Sequence, residues 1–162
     1  MKSLQVVTPS EPCMYHCPFC ISRTHRHFNH FQNVYQDDFE SWKRSLEQVL
    51  EENKDLKTVV ITGTNEPMQT PKCVQDVLDI VRAKRKDVTI EIQTRHYLPN
   101  RLYEEVDIVA CSISSFSLLD KIHGCGKKNR YVIILTDSFA HKSLQDILEK
   151  IPDTVSQVTF KV

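Results

Sequence analysis

No apolar run in these 162 residues approaches the roughly 20 consecutive residues needed to cross a bilayer as a helix, so a helical membrane anchor is not expected. Charge of one sign is lacking too. The 21 lysines and arginines balance 21 aspartates and glutamates, which removes any global electrostatic case for nucleic acid or an anionic membrane surface. No apolar leader follows Met1-Lys2-Ser3, and no internal repeat, low-complexity segment or linker breaks the chain. These absences leave one soluble, cytoplasmic domain over residues 1–162 as the expectation, long enough to bury a core. The one basic run, Arg82-Ala83-Lys84-Arg85-Lys86, sits where a helix should end, and cations there complement the helix dipole.

What is present is concentrated in eight residues, Cys13-Met14-Tyr15-His16-Cys17-Pro18-Phe19-Cys20. This C-x3-C-x2-C loop supplies three thiolates and no fourth. A 4Fe-4S cubane held by three cysteines keeps one iron open to a ligand that is not protein, which suits a catalytic cluster better than an electron carrier. A zinc site normally closes with four ligands, and Cys17 and Cys20 with two of His25, His27 and His30 would make a zinc-binding interaction module, but one that leaves Cys13 unexplained. An iron–sulfur electron carrier or sensor is the other alternative. Disulfides fit poorly, because nothing marks the chain as secreted. Cys73, Cys111 and Cys125 are scattered and read as buried or free thiols.

Strands and amphipathic helices alternate along the rest. A strand at 4–7 runs into the cysteine loop, and Pro9 and Pro12 break regularity before it. Phe39, Trp42, Leu46, Val49 and Leu50 recur at helical spacing over 38–53. Residues 58–61 read as a buried strand. A helix after Pro71 carries Val74, Val77, Leu78 and Val81 on one face. Strands are expected at 88–93, 107–112, 131–135 and 155–162, with helices at 101–105, 117–122 (ending near Gly124) and 143–151. Six strands with a helix in each gap imply right-handed β-α-β crossovers and a parallel α/β sheet. The cysteine loop then lies at the strands' C-terminal end, where such sheets place their ligands.

The cysteine loop and this order of elements resemble the radical S-adenosylmethionine (radical SAM) superfamily, whose core is a partial (β/α)6 barrel; the resemblance covers essentially the whole chain. It implies that Cys13, Cys17 and Cys20 hold a 4Fe-4S cluster and that S-adenosylmethionine (SAM) is the second cofactor. A third signal is Thr62-Gly63-Thr64-Asn65-Glu66-Pro67, similar to the family's Gly-Gly-Glu-Pro-like motif, which holds the amino group of the SAM methionine. Gly63, Glu66 and Pro67 match it. Asn65 replaces the second glycine, a change that a residue tolerant of left-handed backbone angles accommodates. A plain surface turn with a solvated glutamate is the bland alternative. By the same resemblance Phe19 packs near the adenine, and Thr94, Ser112 and Ser114 contact the SAM carboxylate or ribose, although serines and threonines also serve as generic strand-end caps. The stretch from Ser112 through 120–124 resembles the family's passage from fourth strand to fourth helix, whereas a glycine-rich fifth strand is not evident in 133–137.

The implied activity is reductive cleavage of SAM to methionine and a 5′-deoxyadenosyl radical, which abstracts hydrogen from a substrate. The substrate, whether small molecule, peptide or protein, is not legible. Arg95, His96, Tyr97, Asp137, His141 and Lys161 lie at or beyond strand ends and so could face it, with Arg95 a candidate carboxylate or phosphate clamp. His96 reads either as a proton donor or as a loop histidine. Expected partners are an electron donor such as flavodoxin or ferredoxin, and a partner subunit or second copy closing the open sheet; no auxiliary-cluster extension is expected.

Overall fold

A computed structural model describes residues 2–9, 13–15, 17, 20, 34–63, 65–122 and 128–161. They form two compact units, residues 1–92 and 93–162. In the first, strand β1 (Ser3–Thr8) precedes a helical turn α1 (Val34–Asp37), helix α2 (Phe39–Glu52), strand β2 (Thr58–Gly63), a 3-10 turn (Pro67–Gln69), helix α3 (Pro71–Lys84) and strand β3 (Thr89–Thr94), whose last two residues fall in the second unit. β1 pairs with β2 in parallel, from Ser3 opposite Thr58 to Thr8 opposite Gly63, and β2 pairs with β3 in parallel from Thr58 opposite Thr89.

The sequence reasons for these elements are local. Asp38 opens α2 by accepting a hydrogen bond from the Ser41 N–H at 3.0 Å, so the acid at the predicted start is the cap. Pro71 takes the first turn of α3, where its missing N–H costs nothing. α3 buries Cys73, Val74, Val77, Leu78, Ile80 and Val81. In β2 the consecutive Val59, Val60 and Ile61 are all buried, the mark of a parallel strand covered on both faces.

Arg85 does more than complement a dipole. It follows the last turn of α3 and is only 8% exposed. Its guanidinium donates to the carbonyls of Leu50 and Asn53 at 3.2 and 2.9 Å, and to those of Lys54 and Leu56 at 3.4 and 3.1 Å. Asp87 closes the set with two contacts of 2.8 and 2.9 Å, and the Arg85 hydrogen bonds hold its carboxyl down at about 2. A planar fork of five donors suits such a cluster of carbonyls, where a lysine would not.

In the second unit a short helix α4 (Leu102–Glu105) leads to strand β4 (Ile108–Ile113), a 3-10 turn (Phe116–Leu118), strand β5 (Asn129–Ile134), a 3-10 turn (Asp137–Phe139), helix α5 (Leu144–Leu148) and strand β6 (Val155–Lys161). β4 pairs with β5 and β5 with β6, again in parallel. Six parallel strands in chain order make this an α/β fold, with the strand count and order of a partial (β/α)6 barrel, as expected.

Two expected helices are shorter. That at 117–122 is a single 3-10 turn, and that at 143–151 is helical only over α5. Ser143 and Asp146 form a reciprocal capping box at the start of α5. Beyond Leu148 the bonds tighten to Lys150 N–H on the Ile147 carbonyl and Ile151 N–H on that of Leu148, because Pro152 disfavours helical angles in the residue before it. None of the described helices is long and apolar enough to cross a membrane.

Candidate cofactor site

The cysteine loop leaves the C-terminal end of β1. The Cys17 N–H donates to the Tyr15 carbonyl at 3.0 Å, and the Cys20 N–H to the Cys17 carbonyl at 3.1 Å, which ties the third cysteine to the second. Cys13, Cys17 and Cys20 are all half-buried and in no disulfide. No three described His, Cys, Asp or Glu side chains converge on a single metal ion, these thiols included. In a cubane each thiolate takes a different iron, so convergence on one point is not what the group requires. Three soft, partly accessible thiol donors fit an iron–sulfur cluster by their chemistry. Phe19, His16 and the histidines of the zinc alternative lie outside the described residues, as does Cys125. Cys73 and Cys111 are fully buried; burial, helped by Asp76, pushes the Cys73 thiol up to about 12, so it stays protonated and inert.

The second motif leaves the neighbouring strand end. Thr8 and Gly63 are register partners, so the cysteine loop and the Gly63–Pro67 turn start side by side. A Cβ on Gly63 would stand 2.7 Å from the Thr8 hydroxyl and 2.8 Å from the Asn65 carbonyl, so the turn tolerates only glycine without shifting backbone. Asn65 needs no left-handed tolerance: His141, at φ 67°, is the only described non-glycine residue with positive φ. Glu66 is 6% exposed, so the solvated surface glutamate is excluded. Its carboxylate accepts from the Met68 N–H at 3.1 Å, capping the 3-10 turn that Pro67 begins and that feeds α3.

In the second unit Thr94 ends β3, buried at 2% exposure. Its hydroxyl accepts from the His96 N–H at 2.9 Å and lies 3.3 Å from the Tyr103 hydroxyl. Tyr103 in turn donates to the His96 carbonyl at 2.7 Å. His96 is thus knitted into a loop rather than left loose. Tyr97 donates a short hydrogen bond to the Ser112 carbonyl at the end of β4. Ser114 is buried, and its carbonyl accepts from Thr136 at 2.7 Å and Ser138 at 3.3 Å. Arg95 is half-buried and already engaged. Sequence reasoning missed Tyr103, read only as part of a short helix; the available signal was a tyrosine on a buried helix face, whose hydroxyl must find a partner.

The model of the radical SAM superfamily matches residues 7–130, more than half of the chain and spanning the cysteine loop, the Gly63–Pro67 turn and strands β2, β3 and β4. The chain belongs to that superfamily. Its members generally cleave SAM at an iron–sulfur cluster, and that general chemistry is the class to which this fold and this cysteine loop belong. None of the curated proteins searched matches the chain.

Proposed function

We infer that this chain is a radical SAM enzyme in which Cys13, Cys17 and Cys20 hold a 4Fe-4S cluster and the turn through Gly63, Asn65, Glu66 and Pro67 receives the methionine end of SAM. The observation that carries this reading is the coincidence of the family match with a three-cysteine loop placed directly after β1. When bound, the cluster and SAM supply one-electron cleavage of a carbon–sulfur bond, giving methionine and a 5′-deoxyadenosyl radical that takes hydrogen from a substrate. The protein's part is to position and to exclude water. Gly63 keeps the turn close to β1, where a side chain would displace it. Glu66, fixed by the Met68 N–H, offers a preorganised carboxylate to an ammonium group. Thr94, Ser112 and Ser114 are the proposed carboxylate and ribose contacts, and Phe19 the adenine neighbour. Ser112 and Ser114 reach that role on a backbone pinned through their carbonyls. The electron would come from a donor such as flavodoxin or ferredoxin.

The test is anaerobic reconstitution with iron and sulfide, reduction by dithionite with SAM, and chromatographic detection of 5′-deoxyadenosine. We expect about four irons per chain and 5′-deoxyadenosine from the wild type, and neither from Cys17→Ala. A chain that binds zinc and no iron, or that carries the cluster yet leaves SAM intact, rejects the reading.

A further inference from the structure

The loop after β3 holds a hydrogen-bond arrangement whose protons can be placed. Tyr103 is 1% exposed, and its hydroxyl oxygen lies 2.7 Å from the His96 carbonyl, 3.3 Å from His96 Nδ1 and 3.3 Å from the Thr94 hydroxyl. A carbonyl can only accept, so the shortest contact uses the single phenolic proton. The oxygen then presents only lone pairs to His96 Nδ1 and to the Thr94 hydroxyl. His96 Nδ1 must therefore donate, and the Thr94 hydroxyl, which accepts from the His96 N–H at 2.9 Å, turns its own proton to the phenol. In the neutral ring this fixes one tautomer: hydrogen on Nδ1, lone pair on Nε2. His96 is half-buried, just past the C-terminal end of β3, and its Nε2 makes no hydrogen bond to any described residue.

We propose that His96 is a substrate-binding residue, its Nε2 accepting a hydrogen bond from an O–H or N–H group of the substrate, and that Tyr103 is the positioning residue that locks the imidazole in the accepting tautomer. This rests on the radical SAM reading, which puts the substrate at the C-terminal ends of the strands. The ligand class follows from the lone pair. An alcohol, amine or amide is accepted, whereas a substrate group with only acceptors meets no donor from this ring.

Two measurements test it. Two-bond 15N–1H correlations on the metal-free full chain report the tautomer without any SAM chemistry. We expect hydrogen on His96 Nδ1 in the wild type and a shift towards Nε2–H in Tyr103→Phe; hydrogen on Nε2 in the wild type overturns the lock. Second, the reconstituted chain is reduced with SAM in the presence of a soluble extract of cells grown in deuterium oxide, and deuterium per 5′-deoxyadenosine is read by mass spectrometry. His96→Ala should lower that ratio about tenfold, the worth of one hydrogen bond. Equal ratios in wild type and His96→Ala, whether high or zero, overturn the substrate role. No 5′-deoxyadenosine from the wild type overturns the radical SAM reading and the substrate role together, whereas a wrong tautomer overturns only the part assigned to His96 and Tyr103.

Discussion

The first unit carries two helices of 14 residues, whereas no described helix of the second exceeds five, and the two units hold their loops in different ways. In the first, α3 alone buries six side chains. In the second, exposed apolar residues gather instead: Leu135, Leu144, Leu148 and Phe160 are 37–58% exposed, and a groove of about 420 Å³ opens among Leu135, Phe139, Leu144, Ile147 and Phe160. Beside its buried strand residues, hydroxyls on backbone carbonyls order that unit: Tyr97 on Ser112, Tyr103 on His96, Tyr131 on Ile122, Thr136 and Ser138 on Ser114. Each such bond is worth about 1 kcal/mol, less than a well-buried leucine. Both halves bury an apolar core, and in the half that carries the cysteine loop two long helices cover it. The other half adds small polar ties at its strand-end loops, which suits loops that must adapt to a ligand.

That contrast can be broken or sharpened by substitution. Leu78→Ala, in the packed face of α3, should cost about 3 kcal/mol in denaturant unfolding. Gly63→Ala should cost about 2 kcal/mol, since its Cβ has to displace the Asn65 carbonyl, and should lower SAM affinity as measured by equilibrium dialysis. Glu66→Ala removes the cap on Met68, costing about 1 kcal/mol, and should weaken SAM binding while iron content is retained; Glu66→Gln keeps an acceptor for the cap and should restore stability without restoring affinity. Leu144→Gln, on the thinly covered side, should change stability by less than about 0.5 kcal/mol. A Leu144 effect as large as that of Leu78 would erase the distinction between the two halves.

The same contrast explains what could be read in advance. α2 and α3 are long enough for helical periodicity to declare them, and their ends were marked by Asp38 and Pro71. The 3-10 turns at Phe116–Leu118 and Asp137–Phe139 are too short to carry a period, so one appeared as a longer helix and the other did not register. At the candidate site, the spacing of Cys13, Cys17 and Cys20 and the Gly63–Pro67 turn stood out because residue types at fixed separations mark them. The Tyr103 arrangement was not, since it depends on one hydroxyl lying within reach of three atoms of Thr94 and His96. The inward role of Arg85 was hidden for a similar reason: four cations and an alanine at a helix end read as dipole complements, as Arg82 and Lys84 in the last turn are, and only the fold reveals which one turns inwards.

Arg85 also ties events in time. Because one guanidinium holds the carbonyls of Leu50, Asn53, Lys54 and Leu56 from the end of α3, the close of α2 and the connection to β2 cannot fray separately from α3. Amide hydrogen exchange should find these three segments opening as one cooperative unit, and Arg85→Ala should split that unit, with the connection before β2 exchanging first.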